Sequence, residues 1–127
     1  MPTSLNFKVF KKLTLLDLSS NNLTEFPLCV KDCPKLKIFR VIQNKIKEIP
    51  VDFLKNENMQ ENLEEFNINS NPISELSPNI KLLQKLVVLG ISYTQIEVIP
   101  PIITSLENLK SLHCYGAPLR EPKSIIA

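Results

Sequence analysis

The chemistry open to this chain is narrow. His113 is its one histidine, so a Ser-His-Asp or Cys-His arrangement would have to be built on it. The nearest thiol in sequence is Cys114. On a strand the two would face opposite sides, because side chains alternate, and they could not act as a pair. Cys29 and Cys33 stand four residues apart, but a structural zinc site needs four ligands and no further cysteine or histidine lies nearby. Three cysteines cannot close into a full set of disulfides. They read as reduced thiols, with Cys33 and Cys114 filling apolar slots. Glu64 and Glu65 are adjacent acids with no partner acid recurring near them, and two glycines are too few for a glycine-rich phosphate loop. Asn22-Leu23-Thr24 spells a glycosylation acceptor, yet all three residues belong to the periodic pattern described below. The expectation is a chain with no catalytic group, no cofactor and no metal.

Composition points the same way. Apolar residues make up 43% of 127, enough for one continuous core in one domain spanning residues 1–127. A formal net charge of +2 and the absence of long like-charge runs argue against a nucleic-acid partner. Met1 to Leu13 contains no uninterrupted apolar stretch of the signal-peptide kind, so a cytoplasmic setting is expected. Leu86 to Leu106 carries Glu97 as its one charge, but Gln95, Pro100-Pro101 and a strict internal pattern argue against a membrane span. Ten prolines beside two glycines suggest one recurring turn.

The elements that would position any site follow from that turn. Five copies of one unit begin at Leu13, Leu36, Leu63, Leu86 and Leu109, so they are spaced by 23, 27, 23 and 23 residues. The first reads Leu13, Leu16, Leu18, Asn21, Leu23, Phe26, Pro27; the second Leu36, Phe39, Val41, Asn44, Ile46, Ile49, Pro50. The third keeps Leu63, Phe66, Ile68, Asn71, Ile73, Leu76, and the fourth Leu86, Leu89, Ile91, Thr94, Ile96, Ile99, Pro100. The fifth decays to Leu109, Leu112, Cys114, Ala117, Leu119, with Pro122 in the last slot. Alternation in the L-x-L segment marks a strand, not a helix of 3.6-residue period.

The pattern LxxLxLxxNxLxxLP resembles the leucine-rich-repeat family over nearly the whole chain. Its 23-residue unit closed by proline is similar to the intracellular class of Ras-suppressor and Scribble-type scaffolds. The resemblance implies an α/β fold: a right-handed solenoid with five parallel strands on a concave face and short helical or 3₁₀ returns on the convex face. It also implies signalling-protein partners. Bacterial effector ubiquitin ligases carry shorter units of about 20 residues, and they fit less well.

Each slot has a physical task. Asn21, Asn44 and Asn71 stand where the chain leaves the strand and exposes inward amides; a carboxamide both donates and accepts, so it can partner them. Thr94 can do part of this, and Ala117 cannot. Proline fixes φ where the chain turns back. Val30 and Cys33, Ile80 and Leu83, and Ile103 and Leu106 then recur as apolar slots six and three residues before the next leucine. The same offsets give Phe7 and Phe10, so residues 1–12 are predicted to be the outer half of a truncated turn, and Ile126 falls at the other end. The third unit has four extra residues. Phe53, Leu54 and Met59 must fill its core, with one longer helix expected through Asp52 to Gln60 and Asp52 as its N-cap.

Function should then lie on the outward strand positions. The central row is Asp17, Arg40, Asn67, Gly90, His113. The row before it is Leu15, Ile38, Glu65, Val88, Ser111; the rows after it are Ser19, Ile42, Asn69, Ser92, Tyr115 and Ser20, Gln43, Ser70, Tyr93, Gly116. Arg40 between Ile38 and Ile42 places a cation beside two aliphatics. Gly90 is expected to leave a shallow gap bordered by Asn67, His113, Val88, Tyr93 and Tyr115, and Tyr and Arg dominate interface energies. Two functions follow: protein binding through this face, or structural assembly through the solenoid ends. No polar capping element is seen before Phe7 or after Ile126, which leaves either missing flanking sequence or self-association.

Overall fold

A computed structural model describes residues 10–120. Phe7, Pro122 and Ile126 lie outside the described residues. Five three-residue strands, β1 (Leu15–Asp17), β2 (Ile38–Arg40), β3 (Glu65–Asn67), β4 (Val88–Gly90) and β5 (Ser111–His113), form one sheet in the order β1-β2-β3-β4-β5. Every neighbouring pair is parallel, and the register sets Leu16, Phe39, Phe66, Leu89 and Leu112 side by side. This is the row that the repeat alignment predicts. Phe39, Phe66 and Leu89 are sealed, whereas Leu16 and Leu112 are half-buried, because among the described residues each has a paired strand on one side only.

The backbone ladder runs past the strands. Leu18 N–H donates to Arg40 O at 2.8 Å, Val41 to Asn67 O at 3.0 Å, Ile68 to Gly90 O at 2.9 Å and Ile91 to His113 O at 2.7 Å. Inward residues Leu18, Val41, Ile68 and Ile91 are therefore locked in line and buried. The returns are 3₁₀ helices at Leu28–Asp32, Pro78–Leu82 and Pro101–Ser105. Proline suits their first turn, where its missing N–H has no helical partner to lose. Their apolar slots, Val30, Cys33, Ile80, Leu83, Ile103 and Leu106, are all buried.

The enlarged third return departs from expectation. It is not one helix but two, α1 (Val51–Leu54) and α2 (Glu57–Asn62). Asp52 lies inside the first turn of α1, whose N-cap position is Pro50. The cap belongs instead to Asn56, whose side-chain oxygen accepts the Met59 N–H at 3.2 Å and restarts the chain as α2. The break lets Phe53, Leu54 and Met59 all turn inward, and each is sealed from solvent. Asn58 and Asn62 donate to Lys31 O and Pro34 O, tying the insertion to the preceding return. Phe53 meets Phe26 at 4.7 Å and Phe66 at 5.0 Å between ring centroids, and Phe39 stacks on Phe66 at 6.0 Å. Four phenylalanines thus fill the space where the unit is longest.

Candidate functional site

Two sets of side chains hold the edge where strand becomes turn. The first is the asparagine row. Asn44 Oδ1 accepts the N–H groups of Asn21 and Leu23 at 3.0 and 2.9 Å, and its Nδ2 donates to Leu18 O and Val41 O at 3.1 Å each. Asn71 Oδ1 accepts Ile46 N–H at 3.1 Å, while its Nδ2 donates to Val41 O at 2.8 Å. Each carboxamide therefore ties its own turn to the turn before it. Thr94 is shorter: its hydroxyl donates to Ile91 O at 2.8 Å and accepts Ile96 N–H at 3.4 Å, both within its own turn.

The second set was not foreseen from the sequence. Ile42 N–H donates to Ser19 Oγ at 3.1 Å, Ser92 N–H to Asn69 Oδ1 at 2.7 Å and Tyr115 N–H to Ser92 Oγ at 3.0 Å. Ile42 has no acceptor to offer, so the Asn69 N–H turns to Asn67 Oδ1 at 3.1 Å. The polar residues at these outward positions were legible; their use as backbone acceptors across a 23-residue interval was not. The following row, Ser20, Gln43, Ser70, Tyr93 and Gly116, is not on the strands. All five adopt φ between 55° and 74°, the left-handed conformation that turns the chain inward. Gly116 is the one glycine among them.

The predicted site residues divide accordingly. Asn67 is buried, as are Gly90 and Ser92, and no gap exists at Gly90. A Cβ there would stand 2.5 Å from Asn67 Oδ1 and 2.8 Å from Asn69 Oδ1. The glycine makes room for two carboxamides, which fill the space predicted to be open. Arg40 is not a free cation. Its Nε lies 2.7 Å from Glu65 Oε2 and its Nη2 3.4 Å from Oε1, a diagonal pair between β2 and β3. That hydrogen bond raises the Arg40 pKa further. The pair is partly exposed and contributes about 0–1 kcal/mol. Asp17 is exposed; hydrogen bonds from Ser19, with Arg40 nearby, hold its carboxyl below the ordinary value. Ile38, Ile42 and Val88 are half-buried, and His113 is exposed.

Tyr93 and Tyr115 do come together. Their rings meet edge to face at 5.6 Å and 77°, with Tyr93 57% and Tyr115 76% exposed. A Cβ on Gly116 would lie 2.6 Å from the Tyr93 ring, so the ring rests against bare backbone. The described residues hold no group of three or more His, Cys, Asp or Glu able to take a metal ion. Burial pushes the Cys33 thiol up to about 11, and Cys29 is raised in the same way, so neither is a ready nucleophile. Among the described residues, no helix is long and apolar enough to cross a membrane.

A leucine-rich-repeat family model matches residues 12–33 and 62–83, the first and third units. An internalin (inlF) of Listeria monocytogenes is 21% identical with a TM-score of 0.76, over 91% of this chain and 32% of that one. The fold is a leucine-rich-repeat solenoid. A chain of the BIR3–SERK2 complex of Arabidopsis thaliana is 23% identical with a TM-score of 0.73, over 84% of this chain and 57% of that one. The leucine-rich-repeat ectodomain of the receptor kinase SOBIR1, also of Arabidopsis thaliana, is 24% identical with a TM-score of 0.70, over 89% and 61%. The chain spans less than two thirds of each of these solenoids. The exposed tyrosine pair lies in the turns that follow β4 and β5, and the hydrogen-bonded asparagines line the same edge of the sheet.

Proposed function

We propose that the chain is a non-enzymatic protein-binding module that engages its partner through the sheet face, centred on Tyr93 and Tyr115. The observation that carries this reading is the exposed tyrosine pair, packed edge to face beside a row whose Ser19, Asn69 and Ser92 oxygens are engaged by backbone N–H groups. Two large rings held against each other and against Gly116 present apolar area with little rotamer freedom left to lose on binding. Val88 begins β4, and Ile38, Ile42 and Asp17 lie on or beside β2 and β1 toward the first unit. A similar solenoid is a chain of the BIR3–SERK2 complex of Arabidopsis thaliana, which supports the same class of function here.

The 23-residue unit closed by proline supports the narrower reading of an intracellular scaffold of the Ras-suppressor or Scribble kind, acting in signalling in the cytoplasm. Three unpaired cysteines fit a reducing compartment. The test is capture of partners from a lysate by the intact chain, a Tyr93→Ser/Tyr115→Ser variant and a Lys81→Ala variant, read by quantitative mass spectrometry. Partners retained by Lys81→Ala and lost by the tyrosine variant are expected. Equal capture by all three would overturn the assignment of the face.

A further inference from the structure

The second hydrogen-bond set gives the sheet face a polarity. A backbone N–H can only donate, so each side chain that partners one must turn an acceptor toward it. Asn67 Oδ1 is fixed by the Asn69 N–H and Asn69 Oδ1 by the Ser92 N–H. The orientation of both carboxamides is thereby settled, with their NH₂ groups turned away from the backbone. Neither Nδ2 donates to any protein group among the described residues. Asn67 is only 9% exposed, yet no buried side-chain nitrogen or oxygen among the described residues lacks a partner, so its Nδ2 reaches solvent at the face. Ser92 Oγ, in the turn after β4, is held as an acceptor in the same way.

The result is a small patch over β3 and β4 that has its acceptors turned in and its donors turned out. It lies beside the Tyr93–Tyr115 pair. Glu65, on β3, is engaged by Arg40. A buried carboxamide with an unmet NH₂ costs free energy if a partner covers it without supplying an acceptor. A ligand must therefore bring oxygen acceptors to this patch, and a carboxylate is acceptor-only and forms the stronger, charge-assisted bonds.

We propose that Asn67 and Asn69 form the specificity element of the binding face, recognising an aspartate or glutamate side chain on a partner peptide segment whose flanking residues pack on Tyr93 and Tyr115. This rests on the protein-binding reading above and names the chemistry of the partner. The tyrosines supply apolar contact of low selectivity, and the two amides select for the acid.

The test is selection of a random dodecapeptide library against the immobilised chain, followed by affinity measurement on the intact protein and on Asn67→Asp and Asn69→Asp. Both substitutions keep the oxygen that accepts the backbone N–H and replace the outward NH₂ by a carboxylate oxygen. Unchanged thermal melting would confirm that the fold survives, and either variant alone suffices. Selected peptides should share an acidic position, lose affinity when that acid becomes its amide, and bind each Asp variant roughly tenfold or more weakly. Peptides that lose binding with Tyr93→Ser/Tyr115→Ser but carry no shared acid, or bind the Asp variants equally well, would overturn this proposal and leave the binding face intact. Peptides indifferent to the tyrosine substitutions would overturn both.

Discussion

At the scale of single residues, function and stability separate on the two sides of one turn. Asn44 is 7% exposed and satisfies donors and acceptors on two successive turns. Removing its carboxamide leaves those backbone groups unpaired, so Asn44→Ala should destabilise the chain by about 1–3 kcal/mol in urea denaturation. A change under about 0.5 kcal/mol would contradict the role. Cys33 gives a second check. With its thiol pushed up to about 11, the thiolate at pH 8 is on the order of a thousandth of the population. Alkylation of the folded chain should spare Cys33 at pH 8 and reach it on unfolding. The residues that repeat in register were legible in the sequence because burial demands the same type in every copy. The side-chain acceptors for backbone N–H groups were not, since Ser19, Asn69 and Ser92 look like solvated strand positions until a backbone N–H is placed against each. The Arg40–Glu65 pair was not legible for a related reason: Glu65 belongs to the adjacent row, and the diagonal that joins them spans two strands.

At the scale of elements, all five strands and the inward slots follow from the 23-residue spacing, because a parallel stack fixes which residues align. The third return does not, since inserted residues have no copy elsewhere to align with. One long helix through Asp52 to Gln60 would leave Phe53, Leu54 and Met59 on different sides; breaking it at Asn56 brings all three inward. Phe53 touches Phe26, Phe39 and Phe66. Phe53→Ala should therefore cost about 3–5 kcal/mol, the range for deleting a buried aromatic. Asn56→Ala, which removes only the cap of α2, should cost about 1 kcal/mol. Equal losses in chemical denaturation would mean that the insertion is not anchored through its rings.

At the scale of the whole molecule, each unit packs chiefly on the units beside it, so stability should fall where that packing is poorly matched. Among the described residues the fifth unit pairs with β4 alone, its Leu112 and Cys114 are half-buried, and Ala117 stands where Asn44 and Asn71 bind across turns. Hydrogen exchange should show Leu109 to Arg120 exchanging faster than Leu63 to Ile91. Mass rising with concentration in light scattering would favour assembly through the ends, the alternative to binding through the sheet face. The central claim is that the tyrosine pair forms the core of a protein-binding face, and calorimetric titration of a captured partner tests it most directly. Tyr115→Ala should weaken binding by more than about 1 kcal/mol with the melting temperature unchanged, while Lys81→Ala on the opposite side leaves affinity as it was. Equal losses from both substitutions, or none from Tyr115→Ala, would contradict it.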